Sequence, residues 1–394
     1  MEIIDADVTK VKGFSALGKN VGIKKGKPDF AVIYSDCACN AAATYTKNLV
    51  KGAPLLVTKE HLADGKLQAI VVNSGVANVC TGQKGLADAK EMASLAAAEL
   101  GIDEKDVAVA STGVIGKYLP MEKIRDGMKG IKSELSTDSN VAQAIMTTDL
   151  VQKKICVKDG NFTIAAIAKG SGMIHPNMAT MLAFICTDAK IESAKLDSML
   201  KKCVSDSFNM MTVDMDTSTS DMCIVLANGK AGKVDEKKFE AALGIVCKEL
   251  AKKIAADGEG ATKLLEVTVK GATDTQTAKV LAKAIVSSNL VKCAAYGNDP
   301  NWGRILCAMG NSGATFDPHK VDVWFGDEKN GKDSQIKIVQ AGVTTDFDYA
   351  KVKAIMAKTS LPISIDLHEG TAQATAFGCD MTEQYIEINA HYTT

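Results

Sequence analysis

Residues 169–186, KGSGMIHPNMATMLAFIC, contain a turn that is followed by an apolar stretch. Two glycines, then a proline and an asparagine, are typical of a tight irregular turn, because glycine tolerates positive φ and proline restricts it. The residues that follow are almost all apolar and predict a strand that runs to Cys186. The sequence therefore places the step from Ala179 to Thr180 at the head of an apolar strand, directly after a strained turn.

The Ala179-Thr180 step can support self-cleavage. If the Thr180 hydroxyl attacks the Ala179 carbonyl carbon, the amide becomes an ester, and hydrolysis of that ester leaves Thr180 as a new N-terminus. Its α-amine then has a pKa of about 8 and can accept the hydroxyl proton, so one residue supplies nucleophile and general base. No Ser-His-Asp set is required, and the five histidines are scattered. Taken alone, however, an Ala-Thr step is more often an ordinary piece of strand.

A second candidate is residues 109–116, VASTGVIG, which predict a strand that ends in a glycine turn. Acyl transfer places negative charge on an oxygen atom in its transition state. A glycine amide and a threonine hydroxyl at a strand end are suitable preorganised donors, each able to lower the barrier by roughly 3 kcal/mol. We therefore predict that Thr112 and Gly113 form an oxyanion hole, with a plain turn as the alternative.

Other polar clusters indicate neither a metal nor a nucleotide site. Residues 212–221, TVDMDTSTSD, are reminiscent of a calcium loop, but the sixth loop position is Thr219 instead of glycine and the twelfth is Val225 instead of glutamate. A solvated or hydrogen-bonded turn is the better interpretation. Cys37 and Cys39 lack a second pair or a nearby histidine. No glycine cluster matches a phosphate-binding motif. From these three observations we predict no metal and no cofactor.

Helical and strand patterns alternate along the chain. Apolar residues from Leu86 to Leu100 recur on one helical face, Gly101 follows as a stop signal, and a second helix begins after Asp235. Residues 264–270 alternate apolar and polar side chains, as in a strand with one polar face. The mixture predicts an α/β fold of layered sheets flanked by helices, with partly antiparallel sheets. Residues 317–337, rich in Asp, Lys and Gly, are predicted to be a surface segment.

Composition bounds the class of protein and of ligand. Apolar residues make up 46% and charged residues 24%, which is typical of a folded protein. Lys and Arg (46) nearly balance Asp and Glu (47). The chain therefore has no long-range positive electrostatic field that would favour binding to nucleic acid or to an anionic membrane. No apolar stretch resembles a signal peptide or a membrane span. Eleven scattered cysteines favour a reducing compartment, and we predict a cytoplasmic protein with small-molecule ligands.

Motifs spread over nearly the whole chain occur in the order found in one known family. They are VNSG (72–75), AN (77–78), CTG (80–82), STGVIG (111–116), IMTTD (145–149), KGSGM (169–173), Pro176, MATML (178–182), DGEGATK (257–263), YGNDPNWGR (296–304) and INAHYTT (388–394). On these residues the chain resembles the glutamate N-acetyltransferases, also called ornithine acetyltransferases, of arginine biosynthesis.

The resemblance implies self-cleavage before Thr180, so that residues 1–179 and 180–394 become two chains of one intertwined catalytic unit. It implies a ping-pong transfer of acetyl from N-acetylornithine to glutamate through an acetyl-Thr180 ester, with the oxyanion hole at Thr112 and Gly113. It also implies substrate contacts at Thr147 or Thr148, Lys169, Thr180, Glu259, Asn389 and Thr394.

The same resemblance implies a fold similar to the N-terminal-nucleophile-like fold of the aminopeptidase DmpA, and a dimer of cleaved pairs, α2β2. Acetyl-CoA is a candidate second acetyl donor, not a bound cofactor. Lys169 can pair with a substrate carboxylate and Glu259 with an ammonium group. Without the resemblance, both would be interpreted as ordinary surface charges.

One departure and two alternatives stay open. The family's DGDTSTND segment has Met215 and Ser220 in place of its Gly and Asn, so we expect a turn at Met215 that has changed conformation or never needed positive φ. The first alternative is a threonine-nucleophile amidohydrolase or aminopeptidase, in which water is the acyl acceptor. The second is an unprocessed metabolite-binding protein.

Overall fold

The computed structural model describes residues 1–137, 139–175, 181–327 and 334–391. The strands are β1 (Glu2–Ile4), β2 (Phe14–Lys19), β3 (Phe30–Tyr45), β4 (Lys66–Val76), β5 (Val107–Val114), β6 (Lys153–Asp159), β7 (Phe162–Lys169), β8 (Leu182–Lys190), β9 (Met222–Lys233), β10 (Leu264–Ala272), β11 (Asp322–Gly326), β12 (Gln335–Gln340), β13 (Val343–Thr344), β14 (Ser360–Asp366) and β15 (Ala372–Cys379). The helices are α1 (Ala53–His61), α2 (Gly82–Leu100), α3 (Met121–Met128), α4 (Ile131–Glu134), α5 (Val141–Ala144), α6 (Ser193–Ser205), α7 (Glu236–Ala256), α8 (Thr275–Ser287), α9 (Asn289–Tyr296), α10 (Trp302–Gly310), α11 (Tyr349–Met356) and α12 (Glu383–His391).

The described strands form two mixed sheets. The larger has the order β1-β6-β7-β8-β9-β3-β4-β5, with β2 paired to β3, and the smaller has the order β13-β12-β11-β14-β10-β15. In the larger sheet β8 is parallel to β9 and β4 is parallel to β5, whereas β7 is antiparallel to β8. The predicted α/β layering with partly antiparallel sheets is confirmed.

Strand β3 joins two parts of the larger sheet that face each other. Its first half pairs with β4 and its second half with β9. Ile33 and Ile70 on one part share a core with Phe184 and Ile224 on the other. Helices α2 and α3 cover the outer face of the first part, and α6 and α7 cover that of the second. The layers therefore run helix, sheet, sheet, helix, and strand β8 is buried on both faces.

The local patterns predicted for two helices and one strand are confirmed. Helix α2 ends at Leu100, and Gly101 follows in the left-handed region with φ of 74°. The side chain of Asp235 caps α7 by accepting hydrogen bonds from two backbone amides of the first turn. In β10, buried residues alternate with half-buried ones. No helix within the described ranges is long and apolar enough to cross a bilayer.

The segment 317–337 is not simply a surface segment, and that prediction is wrong for part of it. It contains all of β11 and the start of β12. Val323 and Phe325 of β11 are buried in the core of the smaller sheet, and β11 pairs with both β12 and β14. The high content of Asp, Lys and Gly hid this short strand, because only alternate side chains of β11 need to be apolar.

Replacing Phe239 with alanine is expected to destabilise the α7 layer. The side chain is fully buried, and its ring centroid lies 5.7 Å from that of Phe162. Loss of such a ring costs about 3–5 kcal/mol of unfolding free energy, so the thermal unfolding midpoint should fall clearly. Leu49→Ala is the control, because that side chain is 94% exposed. Equal midpoints for the two variants would contradict the assigned layering.

Candidate active site

A cavity of about 130 Å³ lies where β4, β5 and β7 end. The predicted site residues within the described chain all line it: Thr112, Gly113, Thr147, Thr148, Lys169, Glu259 and Asn389. These residues come from strand ends, from a loop and from the C-terminal helix α12, and they are far apart in sequence. The structure therefore brings them together around one cavity, and their roles stay predictions.

Ala179, Thr180 and Thr394 lie outside the described residues, so their predicted roles stay predictions. The residue that follows Thr180 is described, however. Met181 precedes β8, and a Cβ atom placed on Gly170 would lie 3.4 Å from the Met181 Cβ. In the antiparallel pairing of β7 and β8, Lys169 stands opposite Leu182. The start of β8 is thus beside the lysine that lines the cavity.

Gly113 occupies a position that only glycine can take. Its φ is 129°, and a Cβ atom there would lie 2.4 Å from the carbonyl carbon of Gly75 on the neighbouring parallel strand. The φ of Gly75 is 106°, also in the region that favours glycine. The two glycines let the backbones of β4 and β5 approach closely at their carboxyl ends, next to the cavity.

Lys169 contacts the Thr112 hydroxyl within the cavity wall. Its Nζ donates to Thr112 Oγ1 at 3.3 Å, and both side chains are buried. A lysine ammonium can only donate, so Thr112 Oγ1 is the acceptor of this bond and its own proton is directed elsewhere. Thr112 can therefore donate a hydrogen bond to an oxygen atom placed in the cavity, as an oxyanion hole requires.

Lys169 has its counter-ion behind the cavity wall. Burial lowers the pKa of Lys169, and the negative charge of Asp149 opposes that effect. Burial would also raise the pKa of Asp149, but the positive charges of Lys169 and Lys153 outweigh it and hold this pKa well below its usual range. Asp149 is therefore a carboxylate in the folded protein, and it favours a charged Lys169.

Glu259 is held in the cavity wall by two hydrogen bonds and by the space beside a glycine. Its backbone amide donates to the Ser171 carbonyl at 2.9 Å, and its Oε2 accepts a hydrogen bond from Asn389 Nδ2 at 2.8 Å. A Cβ atom on Gly172 would lie 2.3 Å from the Glu259 carboxyl group, so Gly172 leaves the space that this carboxylate fills. Gly172 was not predicted as a site residue, although its place in the KGSGM motif was a signal.

Lys169 and Glu259 are therefore not surface charges, since each is 8% exposed and lines the same cavity. One cation and one anion on a small concave wall suit a ligand that carries both an anionic and a cationic group, because buried charges need partners. The hydroxyl groups of Thr147 and Thr148 add hydrogen-bonding capacity beside them. Together with Thr112 and Gly113, these groups can bind a small amino-acid derivative next to an oxyanion hole.

The turn at Asp214 is hydrogen-bonded, as predicted. Its carboxylate accepts the backbone amides of Met173 at 2.6 Å and Ile174 at 2.9 Å. The expectation for Met215 is wrong: this residue has φ of 70°, in the left-handed region, so the turn retains positive φ without a glycine. Met215 is 53% exposed, so its side chain has room in solvent, and the cost is confined to the backbone.

Several cavity residues were missed in the sequence. They are Tyr385, Asp216, Ser218, Thr219 and Ser220. The three hydroxyl residues belong to the TSTS run, which was considered as a metal loop and as part of the family's DGDTSTND segment but not as a cavity wall. They reach the cavity because Asp214 ties their turn to residues 173–174. Tyr385 lies on α12, one helical turn before Asn389. Across the described residues, no group of three or more His, Cys, Asp or Glu side chains could hold a metal ion.

Comparison with known proteins gives consistent matches. The model of the ArgJ family matches residues 15–394. The arginine biosynthesis bifunctional protein ArgJ of Shouchella clausii is 49% identical over 405 residues, covering 99% of this chain and 97% of that protein. Its counterpart from Symbiobacterium thermophilum is 47% identical over 410 residues, covering all of both chains.

Among solved structures, the arginine biosynthesis bifunctional protein argJ of Bacillus halodurans shares 41% sequence identity with this chain, with a TM-score of 0.50. The match covers 98% of that chain but 53% of this one.

His175, just outside the cavity, should make stability depend on pH. Burial lowers its pKa from 6.5 to about 4, and its Nδ1 lies 3.0 Å from Thr212 Oγ1. Between pH 6.5 and about 4 the unfolded chain binds this proton and the folded protein does not, so stability should fall as the pH falls through that window. His175→Gln should flatten this part of the curve of melting temperature against pH. The exposed-site variant His319→Gln should leave it unchanged, and equal slopes in all three proteins would refute the assignment.

Proposed function

Because the chain belongs to the ArgJ family, we propose that it transfers an acetyl group from N-acetylornithine to glutamate through an acetyl ester of Thr180. One observation carries the proposal. The predicted oxyanion donors and the predicted substrate contacts within the described chain line a single cavity beside the start of β8, directly after position 180. Enzymes of this kind are acetyltransferases of arginine biosynthesis that act on small molecules.

The first step in the proposal is self-cleavage. The Thr180 oxygen attacks the Ala179 carbonyl carbon, the C–N bond breaks as the nitrogen takes up a proton, and water then hydrolyses the ester. Residues 1–179 and 180–394 become two chains that remain associated, because β7 and β8 stay paired within one sheet. The solved relative supports this step, since nearly all of its chain matches only about half of the present one.

The second step is acyl transfer through the freed residue. The Thr180 α-amine accepts the hydroxyl proton while the oxygen attacks the acetyl carbonyl of N-acetylornithine. The negative charge that develops on the carbonyl oxygen is stabilised by the Thr112 hydroxyl and the Gly113 amide. Ornithine leaves with a proton, and the amine of glutamate then attacks the ester, which regenerates the threonine hydroxyl.

The substrate charges can be assigned by complementarity. The charged Lys169 binds a carboxylate, which both substrates carry. Glu259, held by Asn389, binds the ammonium group that ornithine carries and glutamate lacks at that position. Thr147, Thr148 and Thr394 supply further hydrogen bonds, and acetyl-CoA is a candidate second donor for the same ester, which would add N-acetylglutamate synthesis to the activity.

Assembly and location follow from the same proposal. The cleaved pair associates as α2β2, with no nucleic-acid or membrane partner. Its near-neutral formal charge of −1 and its eleven free cysteines fit a cytoplasmic enzyme.

The nucleophile can be tested with Thr180→Ala. Without the hydroxyl neither the cleavage nor the ester can form, so denaturing electrophoresis should show one uncut chain and transfer should be abolished. The unaltered protein should give a fragment whose N-terminal sequence is Thr-Met-Leu. Thr344→Ala, an exposed threonine on β13, is the control and should be cut and active. Two chains from Thr180→Ala would exclude Thr180 as the nucleophile.

The acceptor can be tested by product analysis. Processed enzyme is given N-acetylornithine with and without glutamate, and we expect N-acetylglutamate and fast ornithine release only when glutamate is present. Ornithine and free acetate released equally fast in both reactions would instead establish an amidohydrolase. A parallel reaction with acetyl-CoA and glutamate shows whether the ester can be loaded from a thioester.

A further inference from the structure

A buried salt bridge lies behind the cavity without lining it. Lys153, the first residue of β6, is fully buried, and its Nζ contacts Asp149 Oδ1 at 2.6 Å and Asp257 Oδ2 at 2.5 Å. Neither the lysine nor the two aspartates line the cavity. The acyl-transfer steps do not use them. Three charged side chains are nevertheless kept out of water here, at a considerable desolvation cost.

One end of this cluster holds the cavity wall that contains Thr147 and Lys169. Asp149 Oδ2 accepts the backbone amide of Thr147 at 3.0 Å, and its Oδ1 accepts that of Gly170 at 2.6 Å. Gly170 directly follows Lys169. Asp149 therefore fixes the backbone beside two of the predicted substrate contacts.

The other end holds the wall that contains Glu259. Asp257 Oδ2 accepts the backbone amide of Leu150 at 3.1 Å, and the carbonyl of Asp257 accepts the Ser171 hydroxyl at 2.6 Å. Ser171 in turn accepts the amide of Glu259 through its carbonyl at 2.9 Å. Lys153 is thus the link between two walls that come from distant parts of the chain.

The position of Asp257 is unfavourable by local rules. It is the C-cap of α7, where the helix dipole disfavours a negative charge. A buried ion pair is also little reason to expect extra stability, because well-packed apolar side chains in its place commonly stabilise a protein equally well. The position of this carboxylate is better explained by the groups that it aligns, because proteins depart from local sequence preferences mostly at functional sites.

We propose that Asp257 is a positioning residue for acetyl transfer: its salt bridge to Lys153 sets the distance between Glu259 and the wall formed by Thr147 and Lys169. The inference rests on the proposed function. In the cleaved enzyme the bridge joins the two chains, because Lys153 belongs to residues 1–179 and Asp257 to residues 180–394. The salt bridge therefore keeps the substrate-binding groups of the two chains at fixed relative positions after the peptide bond is cleaved.

Asp257→Asn tests this with little change of shape. Asparagine can still accept the Leu150 amide, and Lys153 keeps its contact with Asp149, which it then shares with Lys169 as the remaining carboxylate of the cluster. The matched control is Asp322→Asn in the smaller sheet. Asp322 is 6% exposed, compared with 8% for Asp257. Asp322 also has a lysine partner, Lys337, at 2.9 Å. The measurements are the extent of processing, the melting temperature, and kcat and KM for both substrates.

We expect Asp257→Asn to be fully processed, with KM for N-acetylornithine and glutamate raised at least tenfold and kcat changed less. Asp322→Asn should keep both constants whatever its melting temperature. Unchanged KM values in processed Asp257→Asn would overturn the inference. Failure of the proposed function would be seen differently, as an uncut or inactive unaltered enzyme.

A second variant applies if Asp257→Asn does not fold. Lys153→Met combined with Asp257→Asn removes one positive and one negative charge together and leaves Asp149 with Lys169 and two backbone amides. A purely structural ion pair predicts normal KM values in this double variant, and that result would refute the positioning role. Raised KM values in the folded double variant would support it.

Discussion

Burial of β8 on both faces is the constraint on which the structure depends. Its alternate residues enter two cores, one shared with α6 and α7 and the other with the facing part of the sheet. A strand so enclosed can be entered only from its end, where β7 finishes at Lys169. The start of β8, from Met181 onward, therefore lies beside the cavity. Packing of the strand, rather than any feature of the residues next to it in sequence, sets this position.

Close approach and charge compensation complete the site around that strand. The glycines at positions 75 and 113 allow two strand ends to meet, and Gly172 leaves room for a carboxylate. Burial lowers the pKa of Lys169, and the negative charge of Asp149 behind the wall opposes that effect. The cavity wall thus places a lysine, a carboxyl group and the predicted oxyanion donors within a small space. Such preorganisation spares the site from rearranging as charge develops on the substrate.

The errors made from the sequence have local causes. Met215 adopts positive φ because its side chain projects into solvent, and exposure is not evident from residue type alone. Strand β11 was hidden by acidic and glycine neighbours, although Val323 and Phe325 are its buried face. The TSTS run was weighed as a metal loop and was missed as a cavity wall, because the hydrogen bonds from residues 173–174 that place it come from outside the run.

The sequence by itself determined the helices α2 and α7, the alternation in β10, the layered α/β class and the family, because these depend on periodicity, capping residues and short motifs. The family resemblance named Lys169, but only the tertiary structure shows the surroundings that distinguish it from Lys153. Lys153 and Lys169 both occur in apolar strands, yet one is fully enclosed between two aspartates and the other lines the cavity. The physical reason is that strand register and hydrogen bonds between distant segments fix where a side chain points, and no short stretch of sequence contains both partners.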